Sequence, residues 1–226
     1  MMPYLDGFDR QILGGDPKQL PYMVAKDCTH AKSAMDWALE LDGNAELKVV
    51  VLLDQYRMVP QIGEICSSFF YNGELRHIRK DDGCKHVYFY NTKGIMHPVN
   101  SFLLKAGDTK CCQMLYRQIL SRNPNSNVQL LAYYRAQARD IQRVLPNANV
   151  CCIDGFQGEE ADEVILATTS RGGKPSNFIH DARRLNVAIS RARNNLYIVG
   201  NITAMENALH WSLVIEKCDK RFTKFC

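Results

Sequence analysis

No G-x-x-x-x-G-K-[S/T] string occurs anywhere in the 226 residues, so the sequence carries no phosphate loop. The nearest approach, GGKPS at 172–176, lacks the spacing. C-x-x-C is absent too, and the nine cysteines include the adjacent pairs Cys111–Cys112 and Cys151–Cys152. That odd, unspaced set reads as reduced thiols of a cytoplasmic or nuclear protein rather than a disulfide framework. No metal site is expected, and Cys84-Lys85-His86 reads better as a strand entrance. There is no run of 18 apolar residues, which excludes a membrane-spanning helix of ordinary type, and MMPYLDGFDR carries no apolar leader. Charge is nearly balanced at +4, which permits nucleic-acid contact without arguing for it. Repeats and low-complexity tracts are missing as well. What remains is 46% hydrophobic and 23% charged, an ordinary globular composition with length enough for one α/β core and appendages.

Apolar runs alternate with helical stripes. Strand-like segments fall at Gln11–Leu13, Val49–Leu53, Val87–Tyr90, Val128–Tyr133, Val150–Ile153, Val164–Thr169 and Leu196–Val199. The run Val49–Leu53 is wholly apolar, as a strand covered on both faces would be. Helical patterns fall at Ala31–Leu41, Pro60–Phe70 (proline suits a first turn), Gly107–Ser121, Ala136–Leu145, Ala182–Ala192 and Ala204–Val214. Little structure is legible in 76–110. Strands alternating with crossover helices predict a doubly wound parallel α/β sheet.

The chemistry gathers at predicted strand ends, and the crevice rule for open α/β sheets predicts that Arg57, Glu159 and Arg191 converge on one face at the strand carboxyl ends. On a helical wheel of 182–192, Leu185, Ala188, Ile189 and Ala192 form an apolar stripe, with Arg184 and Arg191 along one edge. An arginine there can lay its stem on the core and aim its planar fork at an anionic oxygen; the plain alternative is a helix with surface arginines. In DGFQGEE, Gly155 and Gly158 bracket a polar turn whose Gln157 and Glu159 offer acceptors, or which merely connects two strands. Tyr56-Arg57 pairs a ring with a guanidinium, and Tyr133-Tyr134-Arg135 mixes aromatic and basic groups as single-strand surfaces do. In GDPKQLP, Asp16-Pro17 is a turn and Gln19 a free amide or a backbone partner.

GDPKQLP, LDQYRM with FFYNGEL behind it, AYYRAQ, IDGFQGEEADEVIL and RRLNVAISRARNNLYIVGN, in that order, resemble the motifs of superfamily 1 helicases, within them the nonsense-mediated-decay and senataxin-like type. The resemblance runs from about Ile12 to the Trp211 region. It implies a RecA-like fold of the P-loop NTPase class, with residues 1–21 the tail of a first RecA-like domain and residues 22–226 the second. Gln19 resembles the glutamine that senses the γ-phosphate and couples the domains. Tyr56 resembles the tyrosine that stacks on the base, and Arg57 the arginine that reaches the γ-phosphate. Gly158 and Glu159 match positions near ribose and phosphates, Arg191 the arginine finger, and Arg184 a position flanking it. Thr168 and Thr169 fall where relatives meet the nucleic-acid backbone, and Tyr134 and Arg135 join them as nucleic-acid candidates on their aromatic and basic chemistry. Tyr133 stands where relatives often carry proline.

By this resemblance the Walker A lysine and Walker B Asp-Glu lie upstream of Met1. ATP and Mg²⁺ are therefore expected only with a first RecA-like domain supplied in cis or in trans, since hydrolysis needs a phosphate cradle and metal ligands as well as arginine. Two functions follow. The chain is the C-terminal domain of an ATP-dependent RNA or DNA helicase acting on single strands, or a catalytically inactive remnant that binds nucleic acid or a protein partner.

Overall fold

The computed structural model describes residues 12–21, 33–40, 48–92, 96–99, 102–168 and 178–222. The chain divides into two compact units, Met1–Leu52 and Leu53–Cys226.

In the first unit, Asp16 organises a turn. Its side chain accepts from the Lys18 amide at 2.9 Å and from Gln19 Nε2 at 3.0 Å, while its carbonyl accepts the Gln19 amide at 3.1 Å. Helix α1 is Ala34–Glu40, and Ser33 Oγ accepts the Asp36 amide at 3.0 Å ahead of it. Ile12 and Leu13 form no strand, and Gln11 lies outside the described residues.

In the second unit the elements run β1 (Asp54–Gln55), α2 (Pro60–Phe70), β2 (Arg76–His77), β3 (Val87–Asn91), β4 (Met96–Val99) and β5 (Phe102–Lys105). They continue with α3 (Ala106–Arg122), β6 (Val128–Ala132), α4 (Arg135–Val144), β7 (Asn149–Cys152), β8 (Ala161–Ala167), α5 (Ala182–Ser190) and β9 (Ala192–Gly200). Last come α6 (Ile202–Met205), α7 (Leu209–Lys217) and β10 (Asp219–Phe222). Six strands form one parallel sheet in the order β10-β3-β9-β8-β6-β7. Alternate strand residues point to opposite faces. Leu130, Ile165, Ala167 and Val199 join Cys112, Leu115 and Ile141 of α3 and α4 in one core. Val164, Leu166, Leu196 and Ile198 are fully buried on the other face, where α2 and α5 pack against β9 and α2 also meets α7. The expected doubly wound sheet is present.

Three expectations about elements are corrected. Val49–Leu53 is not a covered strand: Val50 is 71% and Leu52 87% exposed, and no ladder forms before the two-residue pairing of Asp54–Gln55 with Arg76–His77. An apolar run becomes a strand only where a neighbour accepts its backbone hydrogen bonds. The helix expected at 204–214 is two helices, α6 and α7; Asn207 Nδ2 donates back to the Thr203 carbonyl at 3.0 Å in the break between them. The region 76–110, poor in legible structure, holds besides the expected strand β3 the antiparallel pair β4–β5, which the sequence pattern does not show.

Candidate functional site

The loop from β7 to β8 crosses back along the sheet past β6, as a parallel strand requires. A 3-10 turn at Ile153–Gly155 buries Ile153 and leads to Phe156, also buried. Gly158 then takes φ +87°, a region that suits glycine alone, and turns the chain into β8. β8 and β9 start in register, Ala161 opposite Ala192, so Glu159, Glu160 and Arg191 meet at the amino ends of these strands. Sequence reasoning placed this meeting at the carboxyl ends by the crevice rule for open α/β sheets. The short crossover carries the loop to the other end instead.

Arg191 ends α5 and is 2% exposed. Its Nε donates to the Val187 carbonyl at 3.1 Å, Nη1 to the Glu159 carbonyl at 2.9 Å, and Nη2 to Ser190 Oγ at 3.2 Å. Burial, and then the charge of Arg57, push its pKa below the ordinary arginine value. The side chain expected to project into a cleft instead ties the end of α5 to the Gly158–Glu159 backbone. Arg57 is about one-third exposed; its Nε pairs with Glu160 and its Nη1 donates to the Ser190 carbonyl at 3.3 Å. Tyr56 beside it is 67% exposed. Arg193 bridges Glu160 at 3.3 Å and approaches Asp162 at 3.8 Å.

Arg79 was missed. Its Nη1 donates to the carbonyls of Arg57 at 2.8 Å and Arg193 at 2.9 Å, and its Nη2 to Asn194 Oδ1 at 2.9 Å. It thereby fixes the backbone of Arg57 against the start of β9, to which the Val59 amide also donates at 2.9 Å. A single arginine in a charge-rich stretch gave no sequence signal for this.

Other expected residues stand at the carboxyl ends of β6, β7 and β8. Arg184 donates to Asp154 at 2.9 Å and Asp181 at 3.0 Å and lies 3.7 Å from the centroid of the Phe178 ring. Asp181 also caps α5, accepting from the Arg183 and Arg184 amides. Tyr134 caps α4 without a side-chain bond and packs its ring 5.5 Å from Phe178, while Arg135 opens α4, exposed. Thr168 is 1% exposed, and its hydroxyl donates to the Val199 carbonyl at 3.0 Å, so that hydroxyl faces the core rather than a backbone bound outside. Thr169 lies outside the described residues. Gln19 belongs to the first unit.

Comparison with known proteins agrees with the motifs. Human "Probable helicase senataxin" is 28% identical over 98% of this chain and 10% of its own length. Mouse "5'-3' DNA helicase ZGRF1" is 27% identical over 94% of the chain and 12% of its own length. Fission-yeast "ATP-dependent helicase upf1" is 25% identical over 98% and 27%. The chain thus spans between a tenth and about a quarter of these relatives. A family model described as "AAA domain" matches residues 31–203, and the chain belongs to that family, as the second RecA-like domain of a superfamily 1 helicase of the senataxin and nonsense-mediated-decay type.

Proposed function

We propose that this chain is the C-terminal RecA-like part of an ATP-dependent RNA or DNA helicase of the nucleus or cytoplasm. In this reading residues 1–21 close a first RecA-like domain and residues 22–226 form the second. The observation that carries it is the convergence of Arg57, through the Glu160 carboxylate, and Arg191, through the Glu159 carbonyl, at the amino ends of β8 and β9. Bound ATP supplies a γ-phosphoryl group whose transfer develops charge that guanidiniums stabilise. Arg57 has a direct route to such an anion, because its one carboxylate partner, Glu160, can be exchanged for phosphate oxygens. Exposed Tyr56 offers its ring to the base. Arg191 shapes the loop: it holds Gly158 and Glu159 in place, and a finger role requires it first to release the carbonyls of Val187 and Glu159. Gln19 is the coupling glutamine of its own unit. The motif order, which puts the phosphate cradle and its metal ligands in the first RecA-like domain, supports assigning Mg²⁺ to that domain, in cis or in trans.

At the other end of the sheet Tyr134 and Arg135 receive a single strand, by stacking and phosphate pairing. Thr168 adds no hydroxyl there, and Thr169 belongs to this proposal only as an expectation. Arg184, committed to two aspartates, orders the surface rather than binding nucleotide.

An inactive binding module is the second reading, favoured by the burial of Arg191. Titrating the ¹⁵N-labelled chain with ATP and, separately, with a single-stranded oligonucleotide tests the first. ATP is expected to move the amide signals of Tyr56, Arg57, Gly158 and Glu159, and the oligonucleotide those of Tyr134 and Arg135. Oligonucleotide shifts without any nucleotide response favour the inactive module, and interchanged patterns overturn the assignment of the two ends.

A further inference from the structure

On the α3 side of the sheet, a cleft of about 230 Å³ opens between the second half of α3 and strands β3 and β9. Tyr88, Tyr90 and Tyr197 form one wall, and Leu115, Gln118, Ile119 and Arg122 the other. Tyr88 and Tyr197 are cross-strand partners, their rings stacked at 5.5 Å with 14° between planes; Tyr90 stands 6.4 Å from Tyr197 at 45°. Both stacked rings are anchored through their hydroxyls. Tyr88 donates to the Lys85 carbonyl, and Tyr197 to Glu163 Oε2 at 3.0 Å. Glu163 is held in turn by Asn195 Nδ2 at 3.0 Å, Asn195 Oδ1 meets His86 Nδ1 at 3.1 Å, and His86 Nε2 pairs with Asp82 at 2.8 Å.

We propose that this cleft is a stacking site for one base of a single-stranded nucleic acid, outside the strand path assigned to Tyr134 and Arg135. A wall of fixed rings loses little freedom when a flat ligand lies on it, which is the condition for stacking to yield affinity. The volume is below the roughly 300–1,000 Å³ of a site for a drug-sized molecule, and so suits a base rather than a dinucleotide. The side chains of Gln118 and Arg122 make no hydrogen bond or ion pair among the described residues. Arg122 therefore presents an unspent fork to a phosphate, and Gln118 an amide to a base edge. Three tyrosines alone would equally suit a proline-rich peptide; the free guanidinium favours the nucleotide.

The proposal rests on the reading of the chain as a nucleic-acid-binding domain, and two probes keep the failures apart. With ¹³C-labelled tyrosine, AMP is expected to shift the ring signals of Tyr88 and Tyr90, while inorganic phosphate alone leaves them unchanged. Anisotropy with a fluorescent single-stranded oligonucleotide should show a loss of about tenfold for Tyr90→Ala, the scale of one stacked base. Arg122→Glu, on an exposed helix end, should also weaken binding without changing the melting temperature, which answers the objection that Tyr90→Ala is misfolded. If Arg135→Glu impairs oligonucleotide binding while Arg122→Glu and AMP have no effect, the cleft assignment is overturned and the wider reading survives. Ring signals that respond to a proline-rich peptide and not to AMP overturn it in favour of a protein ligand. A chain that binds no single strand, in any variant, removes both.

Discussion

At the amino ends of β8 and β9 the buried guanidinium of Arg191 faces oxygens of the backbone, whereas at the carboxyl ends of β6 and β7 the enclosed guanidinium of Arg184 faces carboxylates. Arg191 and Arg79 spend their donors on the carbonyls of Val187, Glu159, Arg57 and Arg193. Arg184 is matched by Asp154 and Asp181. A carbonyl satisfies an N–H without cancelling the charge behind it, so these bonds leave the charge of Arg191 standing, while Arg57 and Arg193 beside it pair with Glu160. Burial first, and the charge of Arg57 second, lower the pKa of Arg191. In the proposed reading the nucleotide's phosphates go to the first end, and the second receives the single strand on Tyr134 and Arg135.

The largest effect should come from Arg191→Ala. It empties the space of a fully buried side chain and removes the donors to the Val187 and Glu159 carbonyls, at a cost of about 3 kcal/mol. For a chain of this size that lowers the melting temperature by roughly 6–12 °C. Arg191→Lys should recover little, because a single ammonium cannot span both carbonyls. A variant that melts with the wild type would mean that Arg191 is loosely held, and the two ends would no longer differ in kind.

The carboxyl end has its own packing constraint. A Cβ added at Gly200 would lie 2.0 Å from Thr168 Oγ1. Gly200→Ala should therefore cost about 2 kcal/mol by overpacking. Thr168→Ala in the same chain should recover part of the loss, so the double variant is more stable than the sum of the singles predicts. Strict additivity in chemical denaturation would put the Thr168 hydroxyl outside the core.

Arg184→Ala tests the comparison directly. Its partners are partly solvated, and the loss of two ion pairs and a ring contact should cost about 1 kcal/mol. A penalty equal to that of Arg191→Ala would erase the distinction between charge spent on carbonyls and charge matched by carboxylates.

Much of this was legible beforehand because it depends on local pattern. Val164–Ala167 is apolar at every position, as a strand buried on both faces must be, and Pro60 begins α2 where a proline is tolerated. The order of motifs located Arg57, Glu159 and Arg191 together. Which end of the sheet they occupy was not legible, because it depends on how an eight-residue loop crosses back from β7 to β8. The burial of Arg191 was equally hidden: the wheel puts it at the edge of the stripe, and only the tertiary position of the Glu159 carbonyl draws it in. Strand β10 has no apolar alternation and exists because the edge of β3 offers it hydrogen bonds.

The smallest effect concerns Glu163, a carboxylate near the amino end that has no arginine partner among the described residues. It accepts from Asn195 and Tyr197, and burial raises its pKa above the ordinary value despite those bonds, with Asp162 adding to the rise and His86 opposing it. A carboxyl group that binds its proton more tightly folded than unfolded stabilises the fold most below its unfolded pKa, about 4.3. That stability is lost as pH rises through the higher folded value. Asp82 acts with the opposite sign, since its hydrogen bond from His86 lowers its pKa and its contribution fades as pH falls. Unfolding by denaturant from pH 4 to pH 8 should therefore show the wild type losing stability relative to Glu163→Gln as pH rises, while Asp82→Asn leaves that slope unchanged. A pH-independent difference between wild type and Glu163→Gln would mean that Glu163 titrates as it does in the unfolded chain, and that the amino end is wetter than its buried arginine implies.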